Sequence, residues 1–560
     1  MSSNSLIVQD YLSSLKEDSE LDHIFPLLLQ SLKFRIVQTA KEAKGQSQYG
    51  KDIVAIGKDD SGKRYRWYFE LKGYADRDIT DKNYYTSDGI RESIIEAKDA
   101  AFNDLSIPGF NQLPVKIVVV HNGILKPNIR PTFEGFIQKE FKDGEFERWD
   151  IYQLTDLFSK YLFSEYLLSD NESNRLLKKT LAFLDTPDYN YEEFKKLVII
   201  QFEKINSVKG RALAKLFATL GILQTLVFHY SKENNNIIPA KECSKFLILY
   251  TWSWVLKNNL ENKTSIVTEF RKLLKIQFGI FNDYFRKTFP IAKLPDGLFS
   301  ERGAFFESIG YPLRCFDYLD DIIYYSRLRL IFSKKEKHNR FIINKQKDLL
   351  IELIGNNSGF YRPILDNHSI PIVQLFLFFA DEKTRRQQDV NFITEVVFGV
   401  LGSIIDEKRK YDRIPELYNN MEKVIEFFVL NQKPDGYEDS SSVLLAIIAE
   451  LLVIFKAKGS FEIFHKYLSE NLNLQIATID SSEYDVEQLL FEKNLHEEYF
   501  VDSIQELTTD FEEFKKERYS KVLPMLEFRT DKVGLSCIRY LAHSYYKNEI
   551  LPEEWRQYFI

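Results

Sequence analysis

Asp52, Glu70 and Lys72 are the residues in this chain whose types and spacing could do chemistry together. They sit in two runs, residues 49–56 and 65–72, dominated by β-branched and aromatic residues that read as strands. The connection Gly57-Lys58-Asp59-Asp60-Ser61-Gly62-Lys63 is dense in turn formers, with Gly62 able to take a positive φ. Side chains alternate along a strand, which puts Glu70 and Lys72 on one face and Phe69 and Leu71 on the other. A hairpin folded about Ser61 sets Asp52 opposite Glu70, since each lies nine residues from that centre. Opposed residues sit about 4.5–5.5 Å apart, so two carboxylates and an ammonium converge at one edge of a sheet. Carboxylates that close repel each other unless a cation lies between them. The pattern predicts a metal site with a built-in lysine.

The elements that must position this group also follow a recognisable order. A helix is expected over Leu21 to Leu32 and a short strand over Phe34 to Thr39, ahead of the hairpin. A helix from about Ser87 to Phe102 and an apolar strand, Val115 to Val120, follow it. Phe146 to Leu154 then reads as a last strand running into a helix. This arrangement resembles the PD-(D/E)xK restriction-endonuclease-like superfamily, in particular its Mrr-like branch, where a glycine-flanked aspartate precedes a strand ending in (E/Q)xK. The approach here is Gly45-Gln46-Ser47-Gln48-Tyr49-Gly50-Lys51-Asp52, and the strand ends in Glu70-Leu71-Lys72. The resemblance covers roughly the first 160 of 560 residues. It implies that Asp52, Glu70 and the backbone carbonyl of Leu71 hold Mg²⁺, with Mn²⁺ able to substitute. Members of the family often add an acid from the first helix, and spacing does not choose among Glu17, Glu20 and Asp22.

Phosphodiester cleavage explains these residue types. Mg²⁺ is held through one or two carboxylates and keeps room for waters and phosphate oxygens. The metal lowers the pKa of a bound water and offsets charge developing on the phosphate. Lys72 is expected to position or deprotonate the attacking water. Other acid-x-Lys copies, such as Glu96/Lys98 and Glu513/Lys515, fall in helix or loop contexts where residues two apart do not face each other.

The net charge of −7 does not favour a polyanionic partner, but charge is uneven along the chain. Between Lys33 and Arg66 there are nine Lys/Arg against four Asp/Glu, and Lys51, Lys63, Arg64 and Arg66 are the candidates for nucleic-acid contact. Cys243, Cys315 and Cys537 are scattered, with no CxxC spacing, which fits a reducing compartment. The first residues lack the pattern of a signal peptide, and the longest apolar run, Val443 to Phe455, is short of a membrane span. These features predict a cytoplasmic protein with no membrane partner. The eight histidines form no HxxxH or HExxH pair. His121, at the end of the Val115–Val120 strand, is read as structural.

From about residue 165 the texture becomes helical, with Leu, Ile and Phe recurring at three- and four-residue intervals and no fixed repeat. Trp252, Tyr324 and the run Phe376–Phe379 are read as packing. The expected architecture is an α/β nuclease-like domain over residues 1–165 and an all-α domain over 166–560, with a sub-division near 355–390. The expected function is Mg²⁺-dependent cleavage of double-stranded DNA by a homo-oligomer, since cutting two strands with one site per chain needs two copies. By analogy with family members carrying large helical regions, it implies an effector of bacterial anti-phage defence gated by the helical domain or a co-encoded partner. The alternatives are a non-catalytic nucleic-acid-binding protein on a degenerate nuclease fold, and an RNase.

Overall fold

The computed structural model describes residues 3–39, 50–87, 89–162, 168, 170–186, 189–299, 303, 306–332, 336–381, 384–468, 473–475, 484–492, 504–506, 510–520, 527–548 and 554–558. The approach Gly45–Tyr49 lies outside the described residues. The chain divides into two compact units, Met1–Leu247 and Ile248–Ile560.

The first unit is built on a five-stranded mixed sheet, β1 (Arg35–Gln38), β2 (Ile53–Lys58), β3 (Arg64–Lys72), β4 (Val115–His121) and β5 (Phe146–Trp149), in that spatial order. β2 runs antiparallel to both its neighbours, β1 and β3; β3, β4 and β5 run parallel. The β2–β3 register pairs Ile53 with Phe69 and Lys58 with Arg64, centred on Ser61 as the turn residues predict. Gly62 takes φ +83°, and the Asp59 carboxylate ties the turn by accepting from the Ser61 and Lys63 amides, both at 3.0 Å.

Both sheet faces are covered, and the alternation of β3 sorts its residues between them. Phe69 packs edge-on to Phe25 of α2 (Asp22–Ser31), with ring centroids 5.3 Å apart, and lies beside Trp149. Tyr68 points the other way, into a cluster with Val54, Ile56, Ile117 and Ala97 of α4 (Ile90–Asp99). The remaining helices of the α/β part are α1 (Ser3–Ser14), α3 (Asp81–Tyr84), α5 (Arg130–Glu140) and α6 (Ile151–Tyr161). Asp150 caps α6 by accepting from the Tyr152 and Gln153 amides.

The unit does not end near residue 165. It continues through α7 (Asn171–Phe183), α8 (Glu192–Glu203) and α9 (Gly210–Glu233), and α9 packs against α1. One contact that ties them is long-range: Arg211 near the start of α9 donates from Nε to the Ser14 carbonyl at 2.9 Å, satisfying one of the carbonyls a helix end leaves open.

The second unit is a helical assembly whose longest members are Thr264–Ala292 and Gln387–Tyr411. Trp252, Tyr324 and Phe376–Phe379 are buried in it as packing residues. Three short strands, Ser441–Ser442, Asn473–Gln475 and Ile504–Glu506, form a small sheet that the sequence texture does not foretell. α9 and the helix Gln387–Tyr411 are long and apolar enough to cross a membrane, but 61% and 50% of their apolar windows are buried inside the protein, as in core helices.

Candidate active site

The C-terminal end of β3 carries the expected group. Lys72 Nζ lies 2.8 Å from Glu70 Oε1, so the two side chains meet on the face that strand alternation assigns them. The β2–β3 ladder stops at Ile53–Phe69, one residue short of the expected pairing of Asp52 with Glu70. At Asp52 the backbone amide donates to the Phe69 carbonyl at 2.9 Å, while the side-chain Oδ2 accepts from the Leu71 amide at 2.7 Å. Amide and carbonyl of one strand residue point to the same edge, so the Leu71 carbonyl also faces the side on which Asp52 lies.

Of the three acids left open near the N-terminus, the structure brings in Glu17. It belongs to a π-helical turn, Glu17–Leu21, that follows α1, and its Oε1 lies 3.6 Å from Lys72 Nζ. Glu20 faces away, paired with Arg211 and, at 2.8 Å, with Lys215 of α9. Asp22 opens α2. The turn is held against the end of β3 by the carbonyls of α1. Asn122, fully buried just beyond β4, donates to the Leu12 and Leu15 carbonyls at 2.7 and 2.8 Å. The Tyr74 amide also donates to Leu15, and Arg77 donates to the Ser13 carbonyl. Gly73 makes the approach possible: a Cβ there would stand 2.0 Å from the Glu17 nitrogen.

Gly50 does the same on the other flank. It adopts φ +65°, and a Cβ would stand 1.9 Å from the Ser93 carbonyl of α4. Only glycine satisfies both demands, so the residue leading into Lys51 and Asp52 is fixed by backbone contact.

Burial sets the electrostatics. Asp52 is 8% exposed, and burial followed by repulsion from Glu70 raises its pKa well above the ordinary aspartate value, against the Leu71 hydrogen bond and the charge of Lys72. Burial likewise lifts Glu17 to about 7, helped by Glu70. Burial alone would depress Lys72, but the carboxylates of Glu70, Glu17 and Asp52 outweigh it and hold the lysine above its usual value. Lys72 is therefore an ammonium at neutral pH. It can donate, but it has no free pair with which to take a proton.

The four basic candidates are not gathered around this group. Lys63 and Arg64 lie at the hairpin tip, about seven residues and hence about 23 Å along β3 from Glu70. Arg66 is buried, donating to the Leu113 and Phe102 carbonyls at 3.0 Å and lying over the Phe110 ring. Lys51 adjoins Asp52 but is only 3% exposed, with Nζ over the Tyr68 ring. Burial pulls its pKa down to about 8 against the pull of Glu96 and Glu70. The basic run of the sequence is thus a hairpin tip, a buried Arg66 held by backbone carbonyls, and a buried Lys51 that feels Glu70. It is not a collar around the acids. The local excess of Lys and Arg could not reveal this, because strand length carries the tip away from the site.

His121, opposite Lys72 in the β3–β4 register, is fully buried and burial depresses it to about 4. Arg148 can only donate, so its 3.0 Å contact to Nε2 fixes the proton on Nδ1, which donates to the Arg77 carbonyl at 2.8 Å. The imidazole is neutral and structural.

Among the described residues, no three acidic, histidine or cysteine side chains come close enough together to hold a metal by side chains alone. The donor set expected here is different in kind, two carboxylates plus a strand carbonyl. All are hard oxygen donors, and a divalent cation between Asp52 and Glu70 would relieve the repulsion that raises Asp52. The residues present fit Mg²⁺. Compared with known protein families, curated proteins and solved structures, the chain matches none.

Proposed function

We propose that the first unit is a metal-dependent nuclease that cleaves phosphodiester bonds of double-stranded DNA. The observation that carries the reading is the convergence of Asp52, Glu70 and Glu17 about the Lys72 ammonium at the end of β3. Mg²⁺, when bound by Asp52, Glu70 and the Leu71 carbonyl, would supply the Lewis acidity that makes a water nucleophilic.

The chain's own residues do the rest. Asp52 is held in place by the Leu71 amide, so its free oxygen is oriented without freedom to turn away. Lys72 offers an ammonium proton to an attacking water or to a phosphoryl oxygen, offsetting charge as it develops. Glu17, with a pKa near neutrality, is suited to exchange a proton at working pH. Phosphate contacts carry no base information, and this group offers only phosphate chemistry, so the reading includes weak sequence preference. The wider role is an effector of anti-phage defence in the cytoplasm, acting as an oligomer and restrained by the helical part of the chain or a partner.

The test is plasmid cleavage by the full chain with Mg²⁺ against EDTA, beside Asp52→Asn. Metal-dependent nicking or linearisation that the substitution abolishes is the expected result. Parallel single-stranded DNA and RNA substrates identify the polymer. Binding of DNA without metal-dependent cleavage in any substrate would overturn the reading in favour of a nucleic-acid-binding protein.

A further inference from the structure

We propose that the second unit holds a binding site for inorganic phosphate between Arg362, Arg413 and Glu407. Arg413 follows the helix Gln387–Tyr411 after a left-handed turn at Asp412 (φ 55°), which folds it back under the helix end. Its side chain is 6% exposed. The guanidinium lies over the Phe428 ring, 3.8 Å from its centroid, and beside Tyr411 at 4.4 Å. Aromatic rings cover guanidinium faces, and so the in-plane N–H groups are left for a partner.

Among the described residues, several of these N–H groups meet no acceptor. Arg413 Nε and Nη1 and Arg362 Nε are all buried with no hydrogen bond. Arg413 Nη2 comes within 3.0 Å of Glu407 Oε2, an ion-pair distance without hydrogen-bond geometry, so the buried Oε2 accepts nothing either. Three donors and one acceptor left unmade inside a folded unit are costly, and all three residues line one cavity of about 60 Å³. A water-sized position takes about 10–15 Å³, so the cavity offers room for about four to six. That suits a tetrahedral oxyanion.

The acceptor selects the anion. Two guanidinium forks fit phosphate oxygens. A carboxylate can only accept, so Glu407 Oε2, already ion-paired with Arg413, favours a ligand that also carries a proton. Hydrogen phosphate has an O–H to donate to Glu407; sulfate at neutral pH has none and would meet charge repulsion there. Ser308 and Ser403, also lining the cavity, bring further hydroxyls.

Titration calorimetry on the full chain at neutral pH tests this with inorganic phosphate, methyl phosphate and sulfate. It needs no cleavage, so its outcome is independent of the nuclease reading. Inorganic phosphate should bind saturably, one per chain, and at least about tenfold tighter than sulfate. Methyl phosphate, whose second pKa of about 6 leaves it mostly a proton-free dianion at neutral pH, should bind more weakly than inorganic phosphate. Arg413→Gln should weaken phosphate at least about tenfold, and Glu407→Gln should erase the preference over sulfate. Should Arg413→Gln fail to fold by circular dichroism, the partly buried Arg362→Gln reads the same loss. The proposal falls if inorganic phosphate gives no saturable heat up to about 10 mM, the cavity then holding water only. It also falls if sulfate binds the wild-type chain equally well, or if Arg362→Gln leaves phosphate affinity unchanged.

Discussion

The Glu17 carboxylate stands 3.6 Å from the Lys72 ammonium, joining a turn near the N-terminus to the end of a central strand. The same ammonium is 2.8 Å from Glu70, so one lysine serves two acids while Asp52 leans on the Leu71 amide beside them. Such a cluster holds more acid than base in a buried place. Its stability should depend on pH and on divalent cations in a way that an ordinary surface hairpin's would not.

The sign follows from the shifts. Asp52 and Glu17 have folded pKa values above their ordinary values of 3.8 and 4.5, Glu17 at about 7. Their contribution to stability is full below the ordinary values and is lost as pH rises through the folded ones. Without divalent cations, the melting temperature should therefore fall between about pH 5 and 8. Lys51, depressed to about 8, acts above that range and with the opposite slope. Asp52→Asn should flatten the fall, and Mg²⁺ should raise the melting point at pH 8 for the wild type but not for the variant. The comparison between the two proteins isolates the site from other buried acids. Parallel pH slopes, or equal Mg²⁺ responses, would detach Asp52 from any metal.

Lys72→Ala should lower the cleavage rate by at least about 10²-fold, a typical loss when one electrostatic stabiliser is removed, while DNA binding survives. Lys72→Arg keeps the charge but brings a planar fork suited to gripping Glu70, and it should recover little of the rate. Single-turnover cleavage measures both. A Lys72→Ala protein that cuts at wild-type rate removes the lysine from the mechanism.

The centre of the site was legible because period-two alternation and a symmetric hairpin are local rules. Glu70, Lys72 and the Ser61 turn follow from them, and the register agrees to the residue. What stayed hidden depends on contacts between distant segments. Nothing in the spacing distinguishes Glu17 from Glu20; the difference is that α9 presents Arg211 and Lys215 to Glu20. Gly73, directly after Glu70-Leu71-Lys72, was the available signal, since a glycine ending a buried strand often marks a close backbone approach. The spread of the basic candidates has a related cause. Counting charges along Lys33–Arg66 ignores that a strand carries Lys63 away from Asp52 and that Arg66 turns inward to backbone carbonyls.

Gly73→Ala tests whether that close approach positions Glu17. The new methyl would displace the π-helical turn, costing about 1–3 kcal/mol as overpacking does. The activity should fall by more than the loss of folded protein explains, with the remaining activity shifted in pH dependence because Glu17 leaves Lys72. Thermal melts give the stability term and a pH–rate profile gives the second. An unchanged profile would mean that Glu17 plays no part in the chemistry.

The boundary of the folding unit makes the last prediction. Residues 1–165 contain every strand of the five-stranded sheet and all of Glu17, Asp52, Glu70 and Lys72, so a fragment cut there has a full set of site residues. It lacks α9, which packs on α1, supplies the Arg211 contact to Ser14 and pairs with Glu20. α1 is the helix whose end carries the Glu17 turn, and its buried residues include Val8, Tyr11 and Leu12. Exposing even one such side chain costs about 1.5–3 kcal/mol, and a small domain has few such increments to lose. Residues 1–165 should melt well below residues 1–247, or aggregate, and should cut poorly even per folded molecule because the Glu17 turn loses its backing. Residues 1–247 should keep the wild-type Mg²⁺ response of the melting point. Sizing, melting and plasmid cleavage on the two fragments decide it. If the shorter fragment is as stable and as active as the longer, α9 is no part of the site's support, and any control exercised by the helical region must act by another route.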